Sequence, residues 1–205
     1  EAVRLARLQH DPAHLAVAGG NLGILLIGLG DQVAAQAALQ EAMEAARRAD
    51  AHWLTAHLTG HLGVLAQDRA GPGHRGDLEE AAHCYQRARD LADMIGDQRG
   101  AVLWTMNLGI VRYEQSQYPD ALDLLTQGRA LAAVQNSRSL VAGADILIGA
   151  CLAALQQHEA GLARIDQGLA LAQKIGDEQR ILMGCLHRGR ALAGMGRLEG
   201  ARSVL

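Results

Sequence analysis

The chain contains few cysteines and no long apolar run. Cys84, Cys151 and Cys185 are its only cysteines, and their odd number and wide spacing argue against a disulfide framework and for a reducing compartment. The longest strongly apolar run, residues 22–30, is far shorter than a bilayer span, and no basic-then-apolar signal pattern opens the chain. We therefore expect a cytoplasmic protein without a membrane partner.

The chain also lacks a basic stripe. Its 19 lysines and arginines are balanced by 22 acidic residues, and they are scattered singly or in pairs such as Arg47-Arg48. A phosphate backbone is held by clustered cations, so nucleic-acid binding by this segment is not expected. What the chain does have is 49% hydrophobic residues, which predicts a folded domain or a continuous array.

One short pattern returns along the chain. Ile-Gly-Asp occurs at residues 95–97 and again at 175–177. Five glycines follow one another at spacings of 40, 46, 40 and 40 residues: Gly23, Gly63, Gly109, Gly149 and Gly189. Pro72 and three glycines within residues 67–77 predict a loop of about six inserted residues, which accounts for the longer spacing. A period of this length indicates a repeat architecture.

Each repeat predicts two amphipathic helices, because apolar residues recur at spacings of three and four, as at Leu103, Met106 and Ile110. A residue that can cap a helix stands at each of five predicted helix starts: Asp31, Asp77, Asp97, Ser137 and Asp177. The preceding glycines predict left-handed helix ends: Gly30, Gly76, Gly96 and Gly176. Asp77 and Glu80 additionally predict a capping box. Pro12, Pro72 and Pro119 lie at the joints, where a missing N–H is tolerated.

Glycines and alanines inside the predicted helices keep the same register. The second helices carry two series of small residues: Ala35, Ala81, Ala121, Gly161 and Ala201, then Ala42, Ala88, Gly128 and Gly168. A glycine inside a helix costs up to about 1 kcal/mol relative to alanine, so something must offset that cost repeatedly. We interpret these positions as close contacts between helices, because no glycine-rich run here precedes a Lys-Ser/Thr phosphate motif.

The pattern resembles the tetratricopeptide repeats, specifically the forty-residue variety found in bacterial signalling and transcription regulators. An aliphatic residue precedes the first-helix glycine at Leu22, Leu62, Leu108 and Ile148, and a large residue separates the paired small ones at Leu39, Tyr85, Leu125 and Ile165. The sequence departs from the family at Arg188, and at five positions where a bulky residue is usual: Gly19, Thr59, Thr105, Asp145 and Cys185. The resemblance implies an all-α fold, an α-solenoid that winds antiparallel helical hairpins into a right-handed superhelix.

Residues 1–205 are predicted to form one such array, a fragment of a longer protein. Residues 1–11 align with the end of a preceding repeat, and residues 177–205 with a partial repeat. The four full repeats are 12–50, 51–96, 97–136 and 137–176. Because neither end shows a polar terminal cap, a homodimer through the repeat ends is possible.

By the same resemblance, the first helix of each hairpin lines a concave groove that binds a protein or peptide. The residues placed on or near that groove are Asn21, His57, His61, Asn107, Tyr113, Glu114, His187 and Arg190. Asn21 and Asn107 could pair with a peptide backbone or with their own neighbouring helix. Arg190 and His187 could hold a carboxylate or be solvated surface residues.

No enzymatic site, cofactor or metal is predicted. His57 and His61 lie four residues apart on one helix, but no glutamate lies between them and no acidic third ligand is close in sequence. Cys185 and His187 point in divergent directions on a helix. Two hypotheses remain: a peptide-binding module, the sensing or scaffolding part of a larger regulator, and a structural array whose repeats mediate self-association without a separate peptide ligand.

Overall fold

The computed structural model describes residues 1–70 and 75–197, with the side chains of residues 75 and 76 left undescribed. These residues form ten helices and no strand, which confirms the predicted all-α fold class. The helices are α1 Ala2–Leu8, α2 Pro12–Gly28, α3 Gln32–Arg48, α4 His52–Arg69, α5 Arg75–Ile95, α6 Gln98–Glu114, α7 Tyr118–Val134, α8 Arg138–Ala154, α9 His158–Ile175 and α10 Glu178–Gly194. Consecutive helices are antiparallel, because only a few residues join them.

The chain divides into two compact units, of which the first is Glu1–Trp104. In this unit α2 packs on α3 and α4 packs on α5, while α2 also packs on α4. Aliphatic side chains and alanines fill its core, with Leu39, Leu58 and Leu65 almost fully buried. Trp104 and Tyr85 are buried as well, and their rings stack with centroids 6.1 Å apart.

The second unit is Thr105–Leu205. Here α8 is the central helix and packs on α7, α9 and α10. Leu125, Leu147, Ile148 and Cys151 form its apolar core together with Ala121. Every residue of α8 from Ala142 to Cys151 is buried, as expected for a helix with neighbours on several sides.

Each described joint between consecutive helices contains a single residue with positive φ. Gly30, Gly96 and Gly176 take this conformation, with φ of 76°, 72° and 70°, as their place before a capping aspartate predicted. Five other joints use residues that the sequence did not reveal: His10, Asp50, Ser116, Asn136 and Gln156. At each joint the following N–H donates to a carbonyl five residues earlier, as from Asp177 to Ala172 at 3.0 Å, so the helix end is satisfied locally.

Three of the predicted capping aspartates accept a hydrogen bond from the first helical turn. Asp31 accepts from the N–H of Ala34, Asp97 from that of Gly100 and Asp177 from that of Arg180, at 3.0–3.1 Å. Ser137 is the N-cap residue of α8, as predicted, but its side chain makes no such bond, so that part of the prediction is wrong. Helix α8 therefore begins without side-chain capping at its N-cap residue.

The prediction for Asp77 and Gly76 is also wrong. Helix α5 already includes Arg75, so Gly76 lies inside the helix and Asp77 lies in its first turn instead of capping it. Asp77 and Glu80 both pair with Arg69 near the end of α4, with nitrogen–oxygen distances of 3.4 and 2.5 Å. Because an insertion separates these two helices, the compact Gly-Asp joint seen at Gly30, Gly96 and Gly176 does not form at Gly76. Pro72 lies outside the described residues.

Glycines at the predicted register positions lie where helices approach closely, as at Gly23, Gly63, Gly109 and Gly149. We call Gly23, Gly63, Gly109, Gly149 and Gly189 the repeat glycines. Gly149 faces the second helix of its own hairpin, where an added Cβ would lie 2.5 Å from the carbonyl oxygen of Gly161 and 2.7 Å from Cγ1 of Ile165. Gly20 and Gly60 instead face the next hairpin, where an added Cβ would meet Leu58 at 2.8 Å and Trp104 at 2.4 Å.

Candidate functional site

A groove lies between α2 and α4 in the first unit. Its cavity is about 160 Å³ and is lined by Ala16, Val17, Gly20, Asn21, Ile24, Trp53, Leu54, His57, Leu58 and His61. Val17, Asn21 and Ile24 recur at helical spacing on one face of α2, and Trp53, His57 and His61 recur on the facing side of α4. We call this surface the α2–α4 groove. It brings together three of the predicted site residues: Asn21, His57 and His61.

The α2–α4 groove combines exposed apolar surface with a polar group that has no partner. Trp53 is 54% exposed, Ile24 41% and Val17 40%. Asn21 is exposed, and its amide makes no hydrogen bond with the described part of the chain. The amide is therefore available to a ligand. Of the two interpretations of Asn21 given above, this favours pairing with the backbone of a bound peptide over pairing with its own neighbouring helix.

His57 and His61 form the polar end of this groove. The Nε2 atom of His57 lies 3.0 Å from Oδ2 of Asp97, the aspartate that caps α6. Both imidazoles meet the indole of Trp104 edge to face, at centroid distances of 5.8 and 5.7 Å. Sequence proximity did not reveal the partnership with Asp97, because the two residues lie one repeat apart. Within the described residues, no group of three or more His, Cys, Asp or Glu side chains is arranged to hold a metal ion.

A second cavity lies among α6, α8, α9 and α10 in the second unit. It is about 210 Å³ and is lined by Tyr113, Ala150, Ala153, Ala154, His158, His187, Arg190, Ala191 and Gly194. We call it the α8–α10 pocket. It contains three more of the predicted site residues, Tyr113, His187 and Arg190. The small side chains of α8 and α10 leave the space that these larger groups surround.

The polar groups of the α8–α10 pocket are unequally solvated. Arg190 is exposed, lies close to the hydroxyl of Tyr113 and forms no salt bridge with any acidic residue of the described part. His187 is 8% exposed and packs edge to face on Tyr113 at 5.8 Å. Burial raises the pKa of Tyr113, so its hydroxyl stays protonated at neutral pH. The pocket therefore offers a cation and a hydroxyl without a built-in anion.

Burial keeps two histidines neutral, His61 in the α2–α4 groove and His187 in the α8–α10 pocket. Burial and the neighbouring His57 lower the pKa of His61 to about 4, and burial and Arg190 lower the pKa of His187 to about 4. The unfolded chain, with histidine pKa values near 6.5, binds more protons than the folded chain between pH 6.5 and 4. Stability is therefore full above pH 6.5 and falls as the pH drops toward 4.

We expect the free energy of unfolding to fall by about 2 kcal/mol for each of these histidines between pH 7 and pH 5. Urea titrations at both pH values measure the change. His61→Gln and His187→Gln should each flatten the dependence, and the double variant should remove most of it. Retention of the wild-type slope in the double variant would show that other groups control it.

The two remaining predicted site residues do not line either cavity. Asn107 is half-buried in α6, and Glu114 is exposed at the end of that helix. Their register within α6 predicts that they lie on its inner side, a prediction that the two cavities do not test. Trp53 is the groove residue that the sequence analysis missed. Its position four residues before His57 was the available signal.

Two of the three cysteines, Cys84 and Cys151, are unsuited to nucleophilic chemistry. All three are free thiols. Burial raises the pKa of Cys151 to about 12 and also raises the pKa of Cys84, so both remain protonated at neutral pH. His187 packs on Tyr113 and makes no contact that pairs it with Cys185. These thiols therefore serve as small packing groups.

Comparison with known proteins identifies the repeat. Residues 73–133 match the family model described as tetratricopeptide repeat. This match and the helical hairpins support an array with the fold of tetratricopeptide-like repeats. None of the curated proteins matches the array significantly in sequence.

Solved structures with low sequence identity share the fold of this helical array. BtubC (BKLC) from P. vanneervenii is 18% identical, with a TM-score of 0.78 over 100% of this chain and 82% of that one. Aspartyl phosphate phosphatase F from Bacillus subtilis is 15% identical, with a TM-score of 0.75 over 95% of this chain and 58% of that one. A putative kinesin light chain with nearly identical TPR-like repeats from Podosopora anserina is 15% identical, with a TM-score of 0.71 over 95% and 92%. In the described part of the array, each helix is too short or too polar to cross a membrane.

Proposed function

We propose that this tetratricopeptide array binds a protein segment in the α2–α4 groove. The observation that carries the proposal is the exposure of Trp53 beside Val17 and Ile24. Only five of the chain's residues are tryptophan or tyrosine, and it has no phenylalanine. Two of the five, Trp104 and Tyr85, are buried in the core. A large, half-exposed indole at a cavity is the kind of residue that dominates binding energy at protein interfaces.

The shape of the groove suits one apolar side chain of an extended or helical segment. A cavity of about 160 Å³ has room for a single aliphatic side chain, with Trp53 and Ile24 as its walls. The exposed amide of Asn21 can then pair with the backbone of the same segment, as a donor and an acceptor. His57 would add little charge selectivity, because it is already paired with Asp97.

The α8–α10 pocket of the second unit is a separate candidate site, suited to an acidic group of a protein ligand. Arg190 has no acidic partner in the described residues, and the hydroxyl of Tyr113 lies beside it. A carboxylate can accept from both groups, and such charge-assisted hydrogen bonds are stronger than neutral ones. Arg190 and Tyr113 are therefore the groups that we assign to binding an acidic side chain at this pocket, considered as a site of the second unit alone.

The wider role that we propose is the sensing or scaffolding part of a larger regulator. Similarity to aspartyl phosphate phosphatase F, of which the array spans 58%, supports an array of this kind within a larger protein. The similar kinesin light chain repeats support the more general role of presenting a binding surface. The groove supports binding and contains no catalytic pair, so the regulator's chemistry would belong to another domain.

The test uses a displayed library of random dodecapeptides as its probe. Peptides selected on the wild-type array are measured against Trp53→Ala and against Met94→Ala, which removes another exposed apolar side chain of the same unit. We expect Trp53→Ala to weaken binding by about thirtyfold, the effect of losing roughly 2 kcal/mol at a hot spot. Met94→Ala should bind as the wild type does.

Arg190→Gln provides the second arm of the test. It should weaken the selected peptides that carry an acidic residue and spare those that do not. Equal binding by the wild type, Trp53→Ala and Met94→Ala would show that the α2–α4 groove is not the binding surface. Failure to select any peptide would contradict the proposed function itself.

A further inference from the structure

The α8–α10 pocket lies where the repeat pattern changes. The residue after the repeat glycine is branched and aliphatic in α2, α4 and α6, as Ile24, Val64 and Ile110. The same position is Ala150 in α8 and Arg190 in α10, and both of these residues line the pocket. The small side chain leaves space there, and the guanidinium brings a positive charge to it. The sequence of this repeat therefore favours a pocket where other repeats place a larger apolar side chain.

The lining of the pocket has an apolar part and a polar part, contributed by four helices. The apolar part consists of alanine and glycine: Ala150, Ala153, Ala154, Ala191 and Gly194. The polar part consists of Tyr113, His158, His187 and Arg190, and none of the lining residues is acidic. Apolar walls with a few polar groups at one cavity are typical of small-molecule sites.

His187 is a buried polar side chain of this lining without a hydrogen-bond partner. It is 8% exposed and packs on the ring of Tyr113, and neither of its ring nitrogens makes a hydrogen bond within the described part of the chain. A neutral imidazole carries one N–H donor and one acceptor nitrogen. Leaving such groups unpaired away from water costs free energy, so a ligand that pairs with them removes that cost. His187 therefore points to a ligand with a hydrogen-bonding group.

The polar groups of the pocket are suited to an anion. The guanidinium of Arg190 lies close to the hydroxyl of Tyr113, and His187 packs on the same ring. Burial raises the pKa of Tyr113 and lowers that of His187, so at neutral pH the first keeps its proton and the second is uncharged. All three side chains can then donate a hydrogen bond. An ionised carboxylate, which only accepts, is the complementary group.

The size of the pocket suits a small acid. Its volume of about 210 Å³ corresponds to on the order of seven non-hydrogen atoms, at about 30 Å³ for each water-sized group. A carboxyl group would occupy part of this space, and a short carbon chain would fill the rest. The alanine and glycine walls offer little apolar surface to a protein partner, in contrast to Trp53 in the α2–α4 groove. They offer enough to cover a short aliphatic chain.

We propose that the α8–α10 pocket also binds a free carboxylic acid of about four or five carbons, whose carboxylate accepts from Arg190, Tyr113 and His187. The inference rests on the proposed function, in which Arg190 and Tyr113 bind an acidic group of a protein ligand. It adds regulation of that site. The free acid and an acidic side chain require the same donors, so they compete for the pocket.

The test measures the binding of sodium butyrate and sodium valerate to the whole chain by NMR titration at pH 7. We expect a Kd of about 1 mM or tighter for at least one of them. Butyramide has a similar shape without the charge and should bind at least about tenfold more weakly. Ala154→Leu keeps every polar group and fills the cavity, so it should weaken both acids by a similar factor.

Four further variants separate the contacts. Arg190→Gln should weaken the acids at least about tenfold, and Tyr113→Phe and His187→Phe about fivefold each. His187→Phe keeps a ring that packs on Tyr113, so weaker binding there reports the lost hydrogen bond. Arg138→Gln removes an exposed arginine at the other end of α8 and should bind the acids as the wild type does. Circular dichroism confirms that each variant is folded.

Competition with the selected peptides separates this inference from the proposed function. Butyrate or valerate should displace the peptides whose binding depends on Arg190 and leave the other peptides bound. Absence of binding by both acids would overturn the inference, and so would butyramide binding as tightly as butyrate. If peptides still depended on Arg190 in either case, the proposed function would stand and the pocket would accept only the acidic group of a protein.

Discussion

Replacing Asp145 with alanine will lower the free energy of unfolding by about 3 kcal/mol or more. The carboxylate is 5% exposed at the centre of α8. One oxygen accepts from Nε of Arg129 on α7 at 2.6 Å, and Nε of Arg164 on α9 lies 2.8 Å from the same oxygen. Asp145 therefore ties together three helices of the second unit.

The cost arises from what remains after the carboxylate is removed. Arg129 and Arg164 would face a cavity without an anion, and both guanidiniums are about two-thirds buried. Losing one partner of a buried ion pair leaves the other partner uncompensated, which costs more than the pair contributed. Arginine side chains do not deprotonate in proteins, so loss of a proton offers no relief in the variant.

Urea denaturation of Asp145→Ala and Asp166→Ala separates this effect from that of an ordinary ion pair. Asp166 pairs with Arg188 at 2.7 Å, but its side chain is 47% exposed, so its loss should cost less than about 1 kcal/mol. Asp145→Asn should lie between the two, since it keeps the shape and loses the charge. Equal midpoints for the two alanine variants would contradict the role assigned to Asp145.

Gly149→Ala is the second substitution with a large expected effect, a loss of about 3 kcal/mol. The added methyl group would lie 2.5 Å from the carbonyl oxygen of Gly161 and 2.8 Å from the backbone nitrogen of Ile165. Backbone atoms of α9 cannot move aside as a flexible side chain can. Helices α8 and α9 must separate, and their shared contacts weaken along the hairpin.

Gly28→Ala is the matched control for this prediction. Gly28 also lies in a helix, but nothing lies within 4 Å of an added Cβ, so the substitution should stabilise the chain by up to about 1 kcal/mol. Thermal melts of the two variants should shift in opposite directions. A Gly149→Ala variant as stable as Gly28→Ala would show that α8 and α9 are not constrained by backbone contact.

The sequence predicted the features that repeat. Periodic glycines identified the helical hairpins and the close contacts, and the aspartates after Gly30, Gly96 and Gly176 identified three helix starts. The period predicts these features because each repeat packs its two helices through the same positions and closes its joints with the same local hydrogen bonds. Where the period breaks, at Gly76 and Asp77, the prediction failed because the inserted loop changes where α5 begins.

Features that occur once could not be read in this way. Asp145 stood out in the sequence only as a departure from the repeat, because its partners lie on the two neighbouring helices. Asn21 and His61 share a register and line the same groove. Glu114 lines neither cavity, because a register predicts the side of a helix and does not predict the shape of the surface that the adjacent helices form there. The role of Trp53 depends on exposure, which spacing alone does not reveal.

The local closure of the joints affects how the chain folds. Within each unit, helices of the described residues pack only on helices adjacent or next but one along the chain. Contacts between residues close in sequence require little loop entropy before they form, so a chain built from them folds quickly. A hairpin can form first at several places and recruit its neighbours, which gives parallel folding routes with no obligatory starting point. Substitutions that slow one route should therefore leave the overall folding rate nearly unchanged.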